Sequence, residues 1–80
     1  MNKSKNEMFE TSDFYLTCYL LASGEDLSSA ERMGQRVVFS FRSNEKLISR
    51  KNKYFLNGAS VNPLTYQNSI NNLKSLINNI

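Results

Sequence analysis

Apolar positions change their spacing several times along this chain, and each change marks an element. Residues 1–8 are polar and charged without periodicity and read as a loose tail, so the folded domain is expected over residues 9–80. From 12 to 24 the run Phe14, Tyr15, Leu16, Cys18, Tyr19, Leu20, Leu21 and Ala22 reads as a helix, with Thr11 or Ser12 as N-cap, Asp13 in the first turn and Gly24 as its stop. Those apolar residues cover nearly the whole circumference. A surface helix needs one stripe, so this helix is either central or half covered by another chain.

Between Asp26 and Arg42 the period falls to two, and Gly34 marks a tight hairpin. With Met33 and Gly34 as the turn residues, Arg32 faces Gln35, Glu31 faces Arg36, Ala30 faces Val37 and Ser28 faces Phe39. That register gathers Ala30, Val37, Phe39 and Phe41 on the core face. It also sets Glu31 against Arg36, a cross-strand pair worth up to about 1 kcal/mol. Met33 fits poorly in a turn position that wants positive φ, where Asn or Asp is the usual residue.

Ser43 or Asn44 can cap a second helix from about Glu45 to Leu56, burying Leu47, Ile48, Tyr54 and Phe55, with Gly58 past its end. Its outer side then collects Lys46, Arg50, Lys51 and Lys53. Ser60-Val61 is a short extended piece. Asn62 as N-cap with Pro63 at N1 opens a last helix to about Asn78, whose stripe Tyr66, Ile70, Leu73, Ile77 and Ile80 follows spacings of 4, 3, 4 and 3. The Asn- and Ser-rich outer face lowers intrinsic helicity, so this helix depends on packing. The expected class is α+β: an N-terminal helix, a β-hairpin with room for a short third strand, and two C-terminal helices.

Composition narrows the chemistry. The 80 residues include no His, no Trp, one Cys and one Pro, which removes the common zinc sites and every imidazole-dependent nucleophile. Cys18 alone cannot make an intrachain disulfide, so a reducing cytoplasmic location is expected. Lys3 and Lys5 ahead of the apolar run Phe14–Ala22 resemble a signal peptide. Glu7, Glu10 and Asp13 argue against it, and a nine-residue segment is too short for a membrane span. Phosphate-cradling glycine loops are missing, and Cys18 reads as a small buried hydrophobe. Asp13, Glu25, Asp26 and Glu31 are accounted for by caps, turns and a strand pair. No enzyme, no cofactor, no metal site and no small-molecule substrate are expected.

The motifs Phe9-x-Thr11-x-Asp13-x-Tyr15-Leu16, Leu20-Leu21-Ala22-x-Gly24, Glu31-Arg32-x-Gly34-x-Arg36-Val37-x-Phe39-x-Phe41 and Leu56-Asn57-Gly58-x-x-Val61-Asn62-Pro63-Leu64-x-Tyr66 together resemble a family of short free-standing proteins of bacteria, archaea and mobile elements. The resemblance spans about residues 9–77. It departs from the family pattern at Met33, where Asp or Asn is usual. It implies a compact α+β domain and no established activity.

Charge supplies the remaining lead. The net charge of +3 conceals an asymmetry, because residues 32–54 carry Arg32, Arg36, Arg42, Lys46, Arg50, Lys51 and Lys53 against Glu45 alone. That window stands at +6 and the rest of the chain, with three basic and six acidic residues, at −3. Those seven cations on a hairpin tip and a helix face would give phosphates a continuous track, so nucleic-acid binding is the leading expectation. The alternative starts from excess apolar surface: the first helix and the seam of the last could need a homodimer or a partner protein, such as a host defence complex targeted by a mobile element.

Overall fold

In the computed structural model, which describes residues 7–80, the chain runs through β1 (Met8–Thr11), α1 (Phe14–Ala22), β2 (Leu27–Met33), β3 (Arg36–Arg42), α2 (Glu45–Phe55) and α3 (Pro63–Ile77). The class is α+β, with an antiparallel sheet in the order β1-β3-β2. The third strand is N-terminal. It begins at Met8, inside the segment read as a tail, whose residues 1–6 lie outside the described residues. Met8 pairs with Arg42, Phe9 with Phe41, Glu10 with Ser40 and Thr11 with Phe39. Four residues are too few to declare a period, and the pairing partner lies some thirty positions downstream, so no local pattern announces it. Ser60 and Val61 join no strand, although Val61 packs against the core.

Strand β3 lies in the middle and divides the residues into two faces. Val37, Phe39 and Phe41 are buried toward the helices, while Arg36 and Arg42 stand exposed on the other side. The hairpin turn is Gly34-Gln35 rather than Met33-Gly34, so Met33 pairs with Arg36, Arg32 with Val37, Glu31 with Val38 and Ala30 with Phe39. Gly34 alone takes the positive φ, +69°, as the first residue of a II′ turn should. Placing Met33 in the strand removes the conflict with its side chain. Because each pairing moves by two positions, Ala30, Val37, Phe39 and Phe41 keep the core face. The Glu31–Arg36 pair does not form: Glu31 lies opposite Val38, and a bulge between Leu27 and Ser29 takes Ser28 out of the ladder.

Helix α1 starts later than expected, since the chain is held in the sheet through Thr11. Asp13 is its N-cap, accepting from the Leu16 N–H at 3.0 Å, and Thr11 Oγ1 accepts from the Asp13 N–H at 3.0 Å. Buried Thr17 donates its hydroxyl to the Asp13 carbonyl at 2.9 Å and so carries no orphaned polar atom. Leu16, Thr17, Cys18, Tyr19 and Leu20 are buried in succession, which makes α1 the central helix. α2 runs antiparallel to it on one side, with Tyr54 against Tyr19 (ring centroids 5.7 Å apart) and Arg50 against Ser23. α3 covers another side through Tyr66, Ile70, Leu73 and Ile77, while Ile80, the expected end of that stripe, is exposed.

The inward stripe of α2 corrects the expected one. Leu47 is fully buried and Tyr54 partly so, but the positions between them on the same face are Arg50 and Lys51, and Ile48 and Phe55 are exposed. Both α1 and α2 end in Schellman motifs. In the first, Gly24 and Glu25 donate to the Leu21 and Leu20 carbonyls; in the second, Asn57 and Gly58 donate to Tyr54 and Lys53. The left-handed residue of the second is Asn57, φ +61°, and not the glycine beside it. Substitution Asn57→Gly is therefore expected to stabilise the fold by about 0.5 kcal/mol, a rise in Tm of roughly 2–4 °C, and Asn57→Ala to destabilise it by about 1 kcal/mol. Thermal melts followed by circular dichroism would check this; equal melting of the two variants would contradict the left-handed assignment.

Candidate nucleic-acid interface

The seven basic residues of the 32–54 window fall into three groups. Arg32 lies opposite Val37 on the helix side of the sheet, whereas Arg36 lies on the open side, so the hairpin tip presents its two arginines in opposite directions. Arg32 reaches α3, donating from Nε to the Ile80 main-chain oxygen at 3.3 Å and from Nη2 to that of Ile77 at 3.2 Å. Ile77 is the last residue of α3, where a cation meets the negative pole of the dipole, and its oxygen also accepts from the Ile80 N–H at 3.3 Å.

Arg50 and Lys51 also have partners within the fold. Arg50 Nη1 donates to the Ser23 carbonyl at the end of α1 and meets Glu25 Oε2 at 3.4 Å, the one ion pair within 4 Å among the described residues. Asn44, the N-cap of α2, donates to the other oxygen of Glu25 at 3.4 Å while accepting from the Leu47 N–H at 2.8 Å. The end of α1 and the start of α2 are thus tied through one carboxylate. Lys51 Nζ sits 5.0 Å from the centroid of the Phe9 ring, a cation–π contact worth about 0.5–1 kcal/mol that fastens α2 to the edge strand β1.

Arg36 and Arg42 occupy the two ends of the open sheet face, roughly 20 Å apart along β3 at the usual rise per residue. Arg36 shares a shallow depression with Glu10, Thr11, Ser12 and Met33, and Arg42 shares another with Glu25, Asp26 and Asn44. Each therefore has acids nearby, although neither forms an ion pair within 4 Å among the described residues. Among the described residues no aromatic ring stands on this face. It is a mixed-sign surface, not a track of cations.

What remains continuous is the outer side of α2. Lys46, Arg50 and Lys53 line one shallow depression with Ser49 and Glu45. They recur at spacings of four and three, which keeps them on one side of the helix over about 10 Å. Among the described residues, Arg50 Nε and Nη2 make no hydrogen bond within the protein, so this side chain, 30% exposed, anchors α1 through Nη1 alone. Lys74 on α3, outside the basic window, is a further exposed cation, and its charge reaches Cys18 beneath it. Charge counting along the sequence passed over it because it stands alone among asparagines and serines.

Cys18 is fully buried, and burial, with a smaller contribution from Asp13, pushes its thiol from 9.0 up to about 11. Thiolate chemistry at neutral pH is correspondingly disfavoured. Tyr54 and Tyr66 are raised in the same direction, again mainly by burial, with Asp13 and Cys18 adding to it. No helix of the described residues is long and apolar enough to cross a membrane. No protein-family model, curated protein or solved structure matches this chain.

Because folding raises the pKa of Cys18, Tyr54 and Tyr66, the folded state keeps protons that the unfolded chain releases in alkali. The Cys18 contribution is complete below about pH 9 and is lost as the pH climbs through about 11. Melting temperature is expected to hold level from neutral pH to about pH 9 and then to fall, with a shallower decline for Cys18→Ala. Equal slopes for the two proteins would remove Cys18 as a source of the alkaline loss.

Proposed function

We propose that this protein is a small non-enzymatic nucleic-acid-binding protein that meets phosphates with the outer face of α2. The observation that carries the reading is the grouping of Lys46, Arg50 and Lys53 around one depression with a single carboxylate, Glu45, among its lining residues. In this reading the seven-residue basic patch expected from the sequence narrows to this cluster: Arg32 and Lys51 have partners inside the fold, Arg36 and Arg42 lie near acids, and Arg50, bound to Ser23 and Glu25 through Nη1, keeps Nε and Nη2 without a hydrogen bond among the described residues. The contraction has a measurable consequence. Three phosphate contacts give a slope of log affinity against log salt of about −2 to −3, whereas seven would give about −5 to −6.

Reversal of Lys46 and Lys53 together to Glu is expected to abolish binding at low salt while leaving the thermal melt nearly unchanged, because both side chains are exposed and unpartnered among the described residues. Arg50 is a poor choice for this test, since its loss would also release the end of α1. Fluorescence anisotropy across a salt series provides the measurement. Absence of binding by the native protein at about 50 mM salt would defeat the reading.

A second reading is favoured by a separate observation. Ile48 and Phe55 lie seven residues apart on one flank of α2, 44% and 59% exposed, on the side where Lys51 touches Phe9 of the edge strand β1. An apolar flank beside an unpaired strand edge suits a protein contact, either a second copy or, by analogy with small mobile-element proteins, a host complex. Under this reading light scattering gives a dimer that the double variant Ile48→Lys, Phe55→Lys converts to monomer, largely independent of salt. A native protein that stays monomeric at every accessible concentration would dispose of the second-copy form.

A further inference from the structure

We propose that Asn57 is a self-modifying site, which closes on the Gly58 nitrogen, releases ammonia and becomes aspartate or isoaspartate at a rate set by opening of the α2 C-cap. The inference is independent of any nucleic-acid partner. Asn57 is the one asparagine in the sequence that a glycine follows. In the reaction the Gly58 nitrogen attacks Asn57 Cγ to form a succinimide ring. The Cγ–Nδ2 bond breaks, and its nitrogen leaves as ammonia with the hydrogen that Gly58 N gives up. Water, the sole co-reactant, then opens the ring at either carbonyl. One opening returns aspartate, and the other returns isoaspartate, in which the former side-chain carbons carry the main chain.

Glycine favours the attack because no Cβ crowds the nitrogen, and both residues are exposed, so water reaches the ring. One hydrogen bond opposes it. The Gly58 N–H donates to the Lys53 carbonyl at 2.8 Å, and ring closure removes that hydrogen, so bond and ring exclude each other. The Asn57 N–H, donating to the Tyr54 carbonyl at 3.3 Å, and the φ of +61° at Asn57 belong to the same cap. That cap must open before the ring can close. It lies at a helix end followed by exposed residues from Leu56 to Ser60, where little buried contact resists opening. Asn68, followed by the small Ser69, lies inside α3, where the helix holds the next N–H. The product also undoes the cap. A carboxylate at position 57 meets the negative pole of α2, and the isoaspartyl link lengthens the main chain between the two capping N–H groups.

The test incubates the full chain in mildly alkaline buffer, folded and in urea, and follows the tryptic peptide from Tyr54 to Lys74 by mass spectrometry, with isoaspartyl methyltransferase labelling as a second readout. Conversion is expected at Asn57 ahead of Asn68. The folded protein should react about 10-fold more slowly than the unfolded chain, since only the cap opens; a need for global unfolding would slow it about 1,000-fold or more. Gly58→Ala should slow conversion about 10-fold in both states. Its new Cβ meets only the Lys53 carbonyl oxygen, at an ordinary 3.8 Å, so its melt should match that of the native protein. The isoaspartyl fraction, separated by ion exchange, should melt about 2–4 °C lower. Folded protein that does not react while the unfolded chain does, or that reacts equally fast, overturns the gated site. Gly58→Ala reacting at the native rate overturns the ring mechanism, and an isoaspartyl form with an unchanged melt overturns the loss of the cap.

Discussion

A helix with no polar face imposes the main constraint on this fold. Five consecutive residues of α1, Leu16 to Leu20, are buried, so cover is needed around the whole of that stretch. The sheet supplies one side through Val37, Phe39 and Phe41, α2 a second through Leu47 and Tyr54, and α3 a third through Ile70 and Leu73. In 80 residues little is left over. Of the two outcomes open to such a helix, central placement or cover from another chain, the chain achieves the first. On α1 the exposed residue is Tyr15, in the first turn and ahead of the buried stretch.

The same need for cover explains why two cations lie inward on α2. Leu47 and Tyr54 alone leave a gap on the packing stripe, and the long stems of Arg50 and Lys51 fill it while their charged ends find the Ser23 carbonyl, Glu25 and the Phe9 ring. Ile48 and Phe55, more apolar by composition, fall just outside that stripe. Hydrophobic spacing favoured them because it ranks residues by polarity, whereas the helix selects by angle and by the partners available at each angle. Arg50 is usable inward only because α1 ends beside it with a bare carbonyl.

Much of the fold was legible in local chemistry. Asn62-Pro63 and Asn44 capped the helices as their side chains require, and the alternation of Val37, Phe39 and Phe41 identified the core face. That face survived an error in the turn, because moving the turn by one residue moves each pairing by two, which preserves the side on which every residue stands. The charge pair of Glu31 with Arg36 did not survive, since it depended on the register itself. Strand β1 was not legible at all. Its stability comes from Ser40, Phe41 and Arg42, far along the chain, and from Lys51 on Phe9, so nothing within Met8–Thr11 could declare it.

The candidate site was legible as a quantity of charge and not as a surface. A window at +6 contains cations that cap helix ends, one that lies on a ring, two that lie near acids and a few that face solvent, and sequence spacing does not separate these uses. The separation comes from the helix ends, whose carbonyls take up arginines: Arg50 donates to Ser23 and Arg32 to Ile77. Net charge therefore overstates the binding capacity of a small domain by the number of helix termini it must satisfy. In this chain the cations left over are few, and Lys46 and Lys53 stand along one side of one helix.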